Sequence, residues 1–318
     1  MHETDYILKC AGYMKDRHLA IGLCTCRRPE QLSGCLQSLG AMDRPENIPL
    51  CLIVADNDPA GSAESVVDTF SRDTDIPVHY RVEKNRGIPF ARNNILHQAL
   101  GLGITELAFI DDDEYAEPLW LVKLWDYYIH SGADVVMGHV KTAYPAHTPD
   151  WIIASGMYER RSYPTGTQFD WARSGNVVFN FNSIVREQSL FFDTSYATSG
   201  NSDDDFFRRA HKNGAIIHCV ADAVVYELLA DNRMTVSYYL KRRWRIKNRT
   251  LDADSLKPGA RIARLLFEGR AFSRTLLQLV RCIPQGKEHY IPVLGNAVVH
   301  VARMCSLLGI HITWNEYT

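Results

Sequence analysis

Four apolar residues run without a break into four carboxylates at Leu107-Ala-Phe-Ile-Asp-Asp-Asp-Glu114. The apolar half is too short for a helix and is flanked by Gly101, Gly103 and then charge, so it reads as a short buried strand. Such strands belong to parallel sheets, whose ligands sit beyond the carboxyl ends. Four adjacent acids repel one another unless a cation or a solvated turn relieves them. A hard divalent cation such as Mg²⁺ or Mn²⁺ does so through oxygen ligands. A water-facing acidic turn does so equally. A third reading, the acid-ended strand of a phosphate-loop NTPase, needs a glycine-rich loop ending in Lys-Ser/Thr, and the chain has none.

The residues upstream bear on the choice. Leu19 to Cys24, Leu50 to Ala55 and Val78 to Val82 are three further short apolar runs. Between them lie helical patterns: Leu32, Cys35, Leu36 and Leu39 after Pro29, then Ala63, Val66, Val67 and Phe70, then Ile95, Leu96, Ala99 and Leu100. This β-α-β-α-β-α-β alternation predicts a mostly parallel, Rossmann-like sheet flanked by helices. The runs end in Thr25/Arg27/Arg28, Asp56/Asn57 and Asn85/Arg86. Parallel strands share one carboxyl rim, so these groups gather beside the four acids, as a nucleotide and metal site would. Gly101-Leu-Gly103-Ile-Thr-Glu106 is no dinucleotide fingerprint, since it lacks the third glycine and precedes a strand.

At 318 residues, with 46% hydrophobic and 23% charged residues, the chain has ample core for one large domain or two unequal ones. Its net charge of −2 conceals a split. Up to Tyr226, 20 Lys and Arg stand against 30 Asp and Glu; from Glu227 onward, 15 stand against 7. A catalytic domain over 1–226 and a basic, largely helical region over 227–318 are therefore expected. The basic region suits an anionic partner such as phosphate groups or a lipid surface. The eight cysteines are scattered, with Cys24 and Cys26 as C-x-C and Cys35, Cys51 and Cys219 in apolar segments. This predicts a reducing, cytoplasmic setting. Met1-His-Glu-Thr-Asp has neither the basic nor the apolar region of a signal peptide.

Past the acids, a helix is expected over Pro118–Ser131, a strand over Asp134–Val140 and another over Gly175–Asn180. Lys141–Trp171 reads as long loops. Tyr144, Trp151, Tyr158, Tyr163 and Trp171 in it are more readily loop core than sugar-stacking platforms. Asp203 to Asn213 reads as a helix opening on Asp203, Asp204 and Asp205, where acids suit the dipole, and a strand follows at Ala223–Tyr226. In the tail, Thr235–Asn248 is a basic helix. Ile262, Leu265, Leu266, Phe272, Leu276 and Val280 lie on one arc beside Arg270, Arg274 and Arg281, a pattern of interfacial helices and equally of helices packed on their own domain. Ile291–Ile310 is apolar but interrupted by Pro292, Asn296, His300 and Arg303, and is not read as a membrane span.

Cys24-Thr-Cys-Arg-Arg-Pro29, Asp56-Asn-Asp58, Asn85-Arg-Gly-Ile-Pro-Phe-Ala-Arg-Asn93, Asp111-Asp-Asp113 and the Asp203 cluster follow one another in a known order. Over roughly residues 17–250 the chain resembles a family 2 glycosyltransferase of GT-A fold. Tyr226-Glu227, Arg233 and Arg242-Arg243 resemble the branch that builds bacterial exopolysaccharide repeat units, the ExoM-like succinoglycan glucosyltransferases. The resemblance implies a nucleoside-diphosphate sugar donor bound by Thr25, Asp56, Asn85, Arg92, Asp111 and Asp112. It implies Mn²⁺ or Mg²⁺ on Asp113 and Asp203 as the general base, with inversion at the sugar. It also implies a polyprenyl-diphosphate-linked saccharide acceptor, no nucleic acid, and peripheral contact with the inner face of the cytoplasmic membrane.

Two departures stand out. Ser202 occupies the place of the family's glutamate before the base, so Asp203 and Asp204 both remain in register for that role. The Gln-x-x-Arg-Trp motif of processive synthases is absent, Leu240 standing where Gln should precede Arg243-Trp244, which points to addition of a single sugar. A nucleotidyltransferase that makes the sugar nucleotide uses a related sheet, but Cys24–Glu30 lacks the glycines its loop carries. An inactive sugar- or lipid-binding scaffold is the alternative from another class, kept open by the Ser202 departure.

Overall fold

The computed structural model describes residues 17–249 and 256–310, so Met1–Asp5, where a leader was sought, lies outside the described residues. Strands β1 (Leu19–Thr25), β2 (Leu50–Asp56), β3 (Val78–Val82) and β4 (Glu106–Asp111) alternate with helices α1 (Pro29–Ala41), α2 (Glu64–Asp73) and α3 (Ile88–Gly101). They pair in parallel in the spatial order β3-β2-β1-β4. This is the alternation expected from the sequence. Its cause is visible along β1, where Leu19, Ile21 and Leu23 face one core and Ala20 the other. With both faces covered, every position must be apolar, and a continuous run results. Leu32, Leu36 and Leu39 of α1 fill the first core, and Ile95, Leu96 and Ala99 of α3 fill the second. Each such buried side chain contributes roughly 1.5–3 kcal/mol.

Beyond β4 the sheet changes direction. It continues through β8 (Asn176–Asn180), β6 (Val135–Ala143), β9 (Ile217–Leu228) and β5 (Glu114–Ala116), with β7 (Gln168–Phe169) paired to β9. The β4–β8, β8–β6, β9–β5 and β9–β7 pairings are antiparallel. Helix α4 (Trp120–Ser131) packs on this half. Buried Asn176 ties it together: its Oδ1 accepts from Trp120 Nε1 at 2.8 Å, and its Nδ2 donates to the carbonyls of His139 and Ala223. Tyr163 and Trp171 pack on the core here, so in this respect they are loop core.

The chain divides into two compact units. The described residues up to Lys141, with Arg160–Leu228, form the first. Thr142–Glu159, with the described residues from Leu229 onward, forms the second. The second unit holds helices α5 (Asp150–Ser155), α7 (Val236–Arg249), α8 (Pro258–Cys282) and α9 (Lys287–Leu307). Ile152, Tyr158 and Leu229 form a small core there, with Tyr144 and Trp151 against it. Helix α9 packs on α5, α7 and α8. Among the described helices it is the one long and apolar enough to cross a membrane, at a mean hydropathy of 1.2, and Ile291, Val293, Ala297, Val299 and Ala302 are buried within the protein.

Candidate active site

The parallel register of β1, β2 and β4 decides what meets at the rim of the first unit. Cys24 stands opposite Asp111 and Thr25 opposite Asp56. The next residue of each outer chain therefore meets the middle one, and Thr25 Oγ1 donates to Asp112 Oδ2 at 2.8 Å in a buried contact. Asp56 is fully buried. Its oxygens accept from the backbone N–H of Asp58 and of Ala63, at 2.9 and 2.8 Å, and from the Tyr80 hydroxyl at 3.0 Å. It thus shapes the loop after β2, and of roughly four lone-pair positions on a carboxylate it keeps about one.

Asn85 is exposed, and both its backbone and side-chain N–H groups donate to Glu83 Oε1. Its loop is anchored by buried Asn57, which the sequence placed at the rim without giving it this role. Asn57 donates to the carbonyls of Glu83 and Asn85 and accepts from Gly87 N–H at 2.8 Å. Gly87 has φ 130°, and a Cβ there would stand 2.7 Å from that of Ala197, so only glycine fits.

The four acids are met by three arginines. Arg28 Nη1 donates to Asp112 Oδ1 at 3.2 Å and to Asp113 Oδ2 at 3.3 Å. Arg92 and Arg160 lie close enough to Asp111 to oppose its rise in pKa. Burial still dominates: it lifts Asp111 to about 7, with Asp113 and Asp112 adding repulsion, and Asp112 to about 6. Glu114 is fully buried and pushed well above the carboxylate range by burial, then by Asp111. Its Oε2 accepts from Asp111 N–H at 3.1 Å, while Oε1 has no hydrogen-bond partner among the described residues. Gly175 makes room for both acids, since a Cβ there would lie 2.8 Å from Glu114 Oε1 and 2.9 Å from Asp111 Oδ2. Arg160, ion-paired with Glu227, adds positive charge beside Glu114 and Asp111. Glu114 was read as one of the four acids but given no role of its own, and Arg160 was not expected at the site. Arg160 sits in a loop-rich stretch and its partner is far along the chain, so no local pattern marks it.

Among the described residues, no group of three or more His, Cys, Asp or Glu side chains converges to hold an ion. The carboxylates placed for such a role are Asp111 and Asp113; Asp112 is held by both Thr25 and Arg28, whereas Asp113 shares Arg28 with it. These are hard oxygen ligands in mutual repulsion. They fit a Mg²⁺ or Mn²⁺ ion shared between one or two carboxylates and a diphosphate.

Helix α6 (Ser202–Lys212) opens on the second acidic cluster. Arg92, only 8% exposed, reaches it from α3: Nη1 donates to Ser202 Oγ at 3.0 Å. Its guanidinium lies over the Phe192 ring, which stacks on Phe206 at 4.2 Å. Arg92 holds no carboxylate in an ion pair among the described residues. The three aspartates of the first turn are not equivalent. Asp204 pairs with Arg208 at 2.9 Å, and Arg208 also pairs with Asp170. Asp205 pairs with Arg209 at 2.8 Å. Asp203 makes no ion pair among the described residues and is partly exposed. The structure thus gathers Thr25, Asp56, Arg92, Asp111, Asp112 and Asp113 around one rim, and Arg92 ties that rim to the helix carrying Asp203.

The model of glycosyl transferase family 2 matches residues 20–191. The succinoglycan biosynthesis protein ExoM of Rhizobium meliloti (strain 1021) is 33% identical over 234 residues, which cover 72% of each chain. Among solved structures, S. aureus TarS 1-349 is similar at a TM-score of 0.52 and 15% identity, covering 92% of each chain. Its complex with UDP-GlcNAc gives 0.54 at 14% identity, again over 92% of each. At that identity the likeness is one of fold, a mixed sheet flanked by helices of the GT-A kind.

Proposed function

The chain belongs to glycosyl transferase family 2 and is a glycosyltransferase; from this premise we propose an inverting, metal-dependent, non-processive enzyme that moves one sugar from a nucleoside-diphosphate sugar to a single hydroxyl. The donor is a UDP-sugar, in line with the UDP-GlcNAc bound by the structurally similar TarS. The acceptor is a polyprenyl-diphosphate-linked saccharide of exopolysaccharide assembly, in line with ExoM being a succinoglycan biosynthesis protein. The enzyme works in peripheral contact with the cytoplasmic face of the inner membrane, where such an acceptor resides.

One observation carries this reading. Arg92 joins an acid-lined strand rim to a helix whose Asp203, alone of its three aspartates, makes no ion pair among the described residues. The buried, carboxylate-free guanidinium of Arg92 suits an anionic donor, since buried charges require counter-charges. Thr25, Asp56 and the Asn85 loop, held by Asn57, form the nucleoside side of the rim. Asp113, with Asp111 beside it, would hold the Mn²⁺ or Mg²⁺ ion, which when bound supplies Lewis-acid stabilisation of the departing diphosphate. Asp203 removes the proton from the acceptor hydroxyl as its oxygen bonds to the sugar C1 and the C1–O bond to the diphosphate breaks. Attack from the face opposite the leaving group inverts the anomeric centre. Asp204 and Asp205 are held in place by Arg208 and Arg209.

The test is release of nucleoside diphosphate from a panel of sugar nucleotides, with and without Mn²⁺. Metal-dependent release of UDP that rises with added saccharide acceptor is expected. Formation of pyrophosphate instead would assign the chain to sugar-nucleotide synthesis. No turnover with any donor would leave only a binding protein.

A further inference from the structure

Helix α8 sits in the second unit with its polarity reversed. Its buried side chains are Glu268 and Thr275. Its large aliphatics Ile262, Leu266, Leu277 and Val280 are 59–68% exposed, and they recur at whole numbers of helical turns, forming one stripe. Exposed Ile283 extends it just past the helix. A helix packed only to complete its own core would turn this stripe inward. Leu265 and Phe272, read from the sequence as part of the same arc, are instead half-buried.

What holds the helix this way round is the buried carboxylate. Glu268 accepts from His300 Nδ1 at 2.7 Å and from Arg303 Nη1 at 3.3 Å, both on α9, and pairs with Arg264 Nε at 3.1 Å. Rotating α8 to bury the aliphatics would separate that carboxylate from His300 and Arg303 on α9, which is strongly unfavourable in a buried setting.

Charge indicates the occupant. Arg270, Arg274 and Arg281 run along one edge of the stripe, all exposed and none ion-paired among the described residues. Glu268 is the only acid in the helix, and it is buried. The exposed surface of α8 is therefore aliphatic and cationic without a compensating carboxylate. A second copy docked on this stripe would offer no exposed carboxylate of its own α8 to these arginines. Resting on the peripheral contact proposed above, we propose that this face of α8 lies flat on a bilayer containing anionic lipid. The aliphatic stripe enters the boundary of the acyl region and the arginines reach the headgroup phosphates, as in interfacial helices.

The test uses the full chain and co-sedimentation with vesicles of phosphatidylcholine, alone or mixed with phosphatidylglycerol. Binding to the mixed vesicles that falls with salt is expected. Replacing Arg270, Arg274 and Arg281 together by Gln should weaken it on the order of 100-fold. Leu277→Ser with Val280→Ser should weaken it by roughly tenfold or more, with an unchanged melting curve because both side chains are already exposed. Binding to neither vesicle, or binding indifferent to both sets of substitutions, overturns the proposal. So does a dimer in vesicle-free sedimentation velocity that Leu277→Asp disperses, because a second copy then covers the stripe. Nucleotide release is followed separately in lipid-free buffer, so failure of the transferase reading and failure of the docking surface give different results.

Discussion

Arg92 donates to the Ser202 hydroxyl at 3.0 Å, joining α3 to the first turn of α6 across 110 positions of sequence. A neutral hydroxyl stands where the family's glutamate would, so the guanidinium is oriented without being neutralised. Its remaining charge acts on Asp111 and Cys24, whose pKa values it opposes. The same contact fixes the start of the helix that presents Asp203. The acid-lined rim and the helix carrying Asp203 therefore share one mechanical link.

Asp203→Asn is expected to keep donor affinity and lose about 10²–10⁴-fold in turnover, the range of a general base. Asp204→Asn removes only a half-exposed ion pair with Arg208, worth about 0–1 kcal/mol, and should change turnover by a few-fold at most. Steady-state rates of both variants, with calorimetry of UDP binding, check this. Reversal of the two results would move the base by one residue.

Asp113→Ala should weaken UDP binding in the presence of Mn²⁺ and leave it nearly unchanged in its absence. Asp112→Asn, which disturbs the contacts to Thr25 and Arg28, should weaken binding in both conditions. Titration calorimetry with and without metal separates the two patterns. Equal losses in Asp113→Ala would remove that side chain from the metal.

Gly175→Ala places a methyl group 2.8 Å from Glu114 Oε1 and 2.9 Å from Asp111 Oδ2. Overpacking of this kind costs about 1–3 kcal/mol. Urea unfolding should show that loss, and activity should fall further than stability predicts because Asp111 is displaced from the rim. Wild-type activity in the alanine variant would show that the acids have room to spare.

Glu268→Gln removes the charge shared by Arg264, His300 and Arg303. Breaking a buried pair costs about 3–5 kcal/mol, and the lower end is expected because the cationic partners are partly exposed. Thermal unfolding should show the second unit destabilised, with nucleotide release by the first unit little affected in the cold. A variant as stable as wild type would mean the cluster is not what orients α8.

Much of the architecture was open to local reading. The runs ending at Thr25, Asp56 and Asp111 declare themselves because a strand covered on both faces must be apolar at every position, and because the chain meets solvent where the run stops. The helical stripe of α1 over Leu32, Cys35, Leu36 and Leu39 follows from burial of one face. Expectations for Lys141–Trp171 were coarser. That stretch is divided between the two units, with the short helix α5 in one and β7 in the other, and neither has a periodicity long enough to read.

The sequence by itself determined the order of strands and helices, the rim at their carboxyl ends and the clustering of acids there, since each follows from spacing within about twenty residues. The pairing of Asp204 with Arg208 and of Asp205 with Arg209, which leaves Asp203 aside, is local too, one helical turn on. Only the tertiary structure decided that Arg208 also meets Asp170. It alone brought Arg160 to Glu114, set Asn57 under the Asn85 loop, and turned the polar side of α8 inward onto His300 and Arg303. Hydrophobic periodicity records how much of a helix is apolar. It does not record which face is buried when a partner thirty residues later supplies the charge that makes burying a glutamate the lower-energy choice.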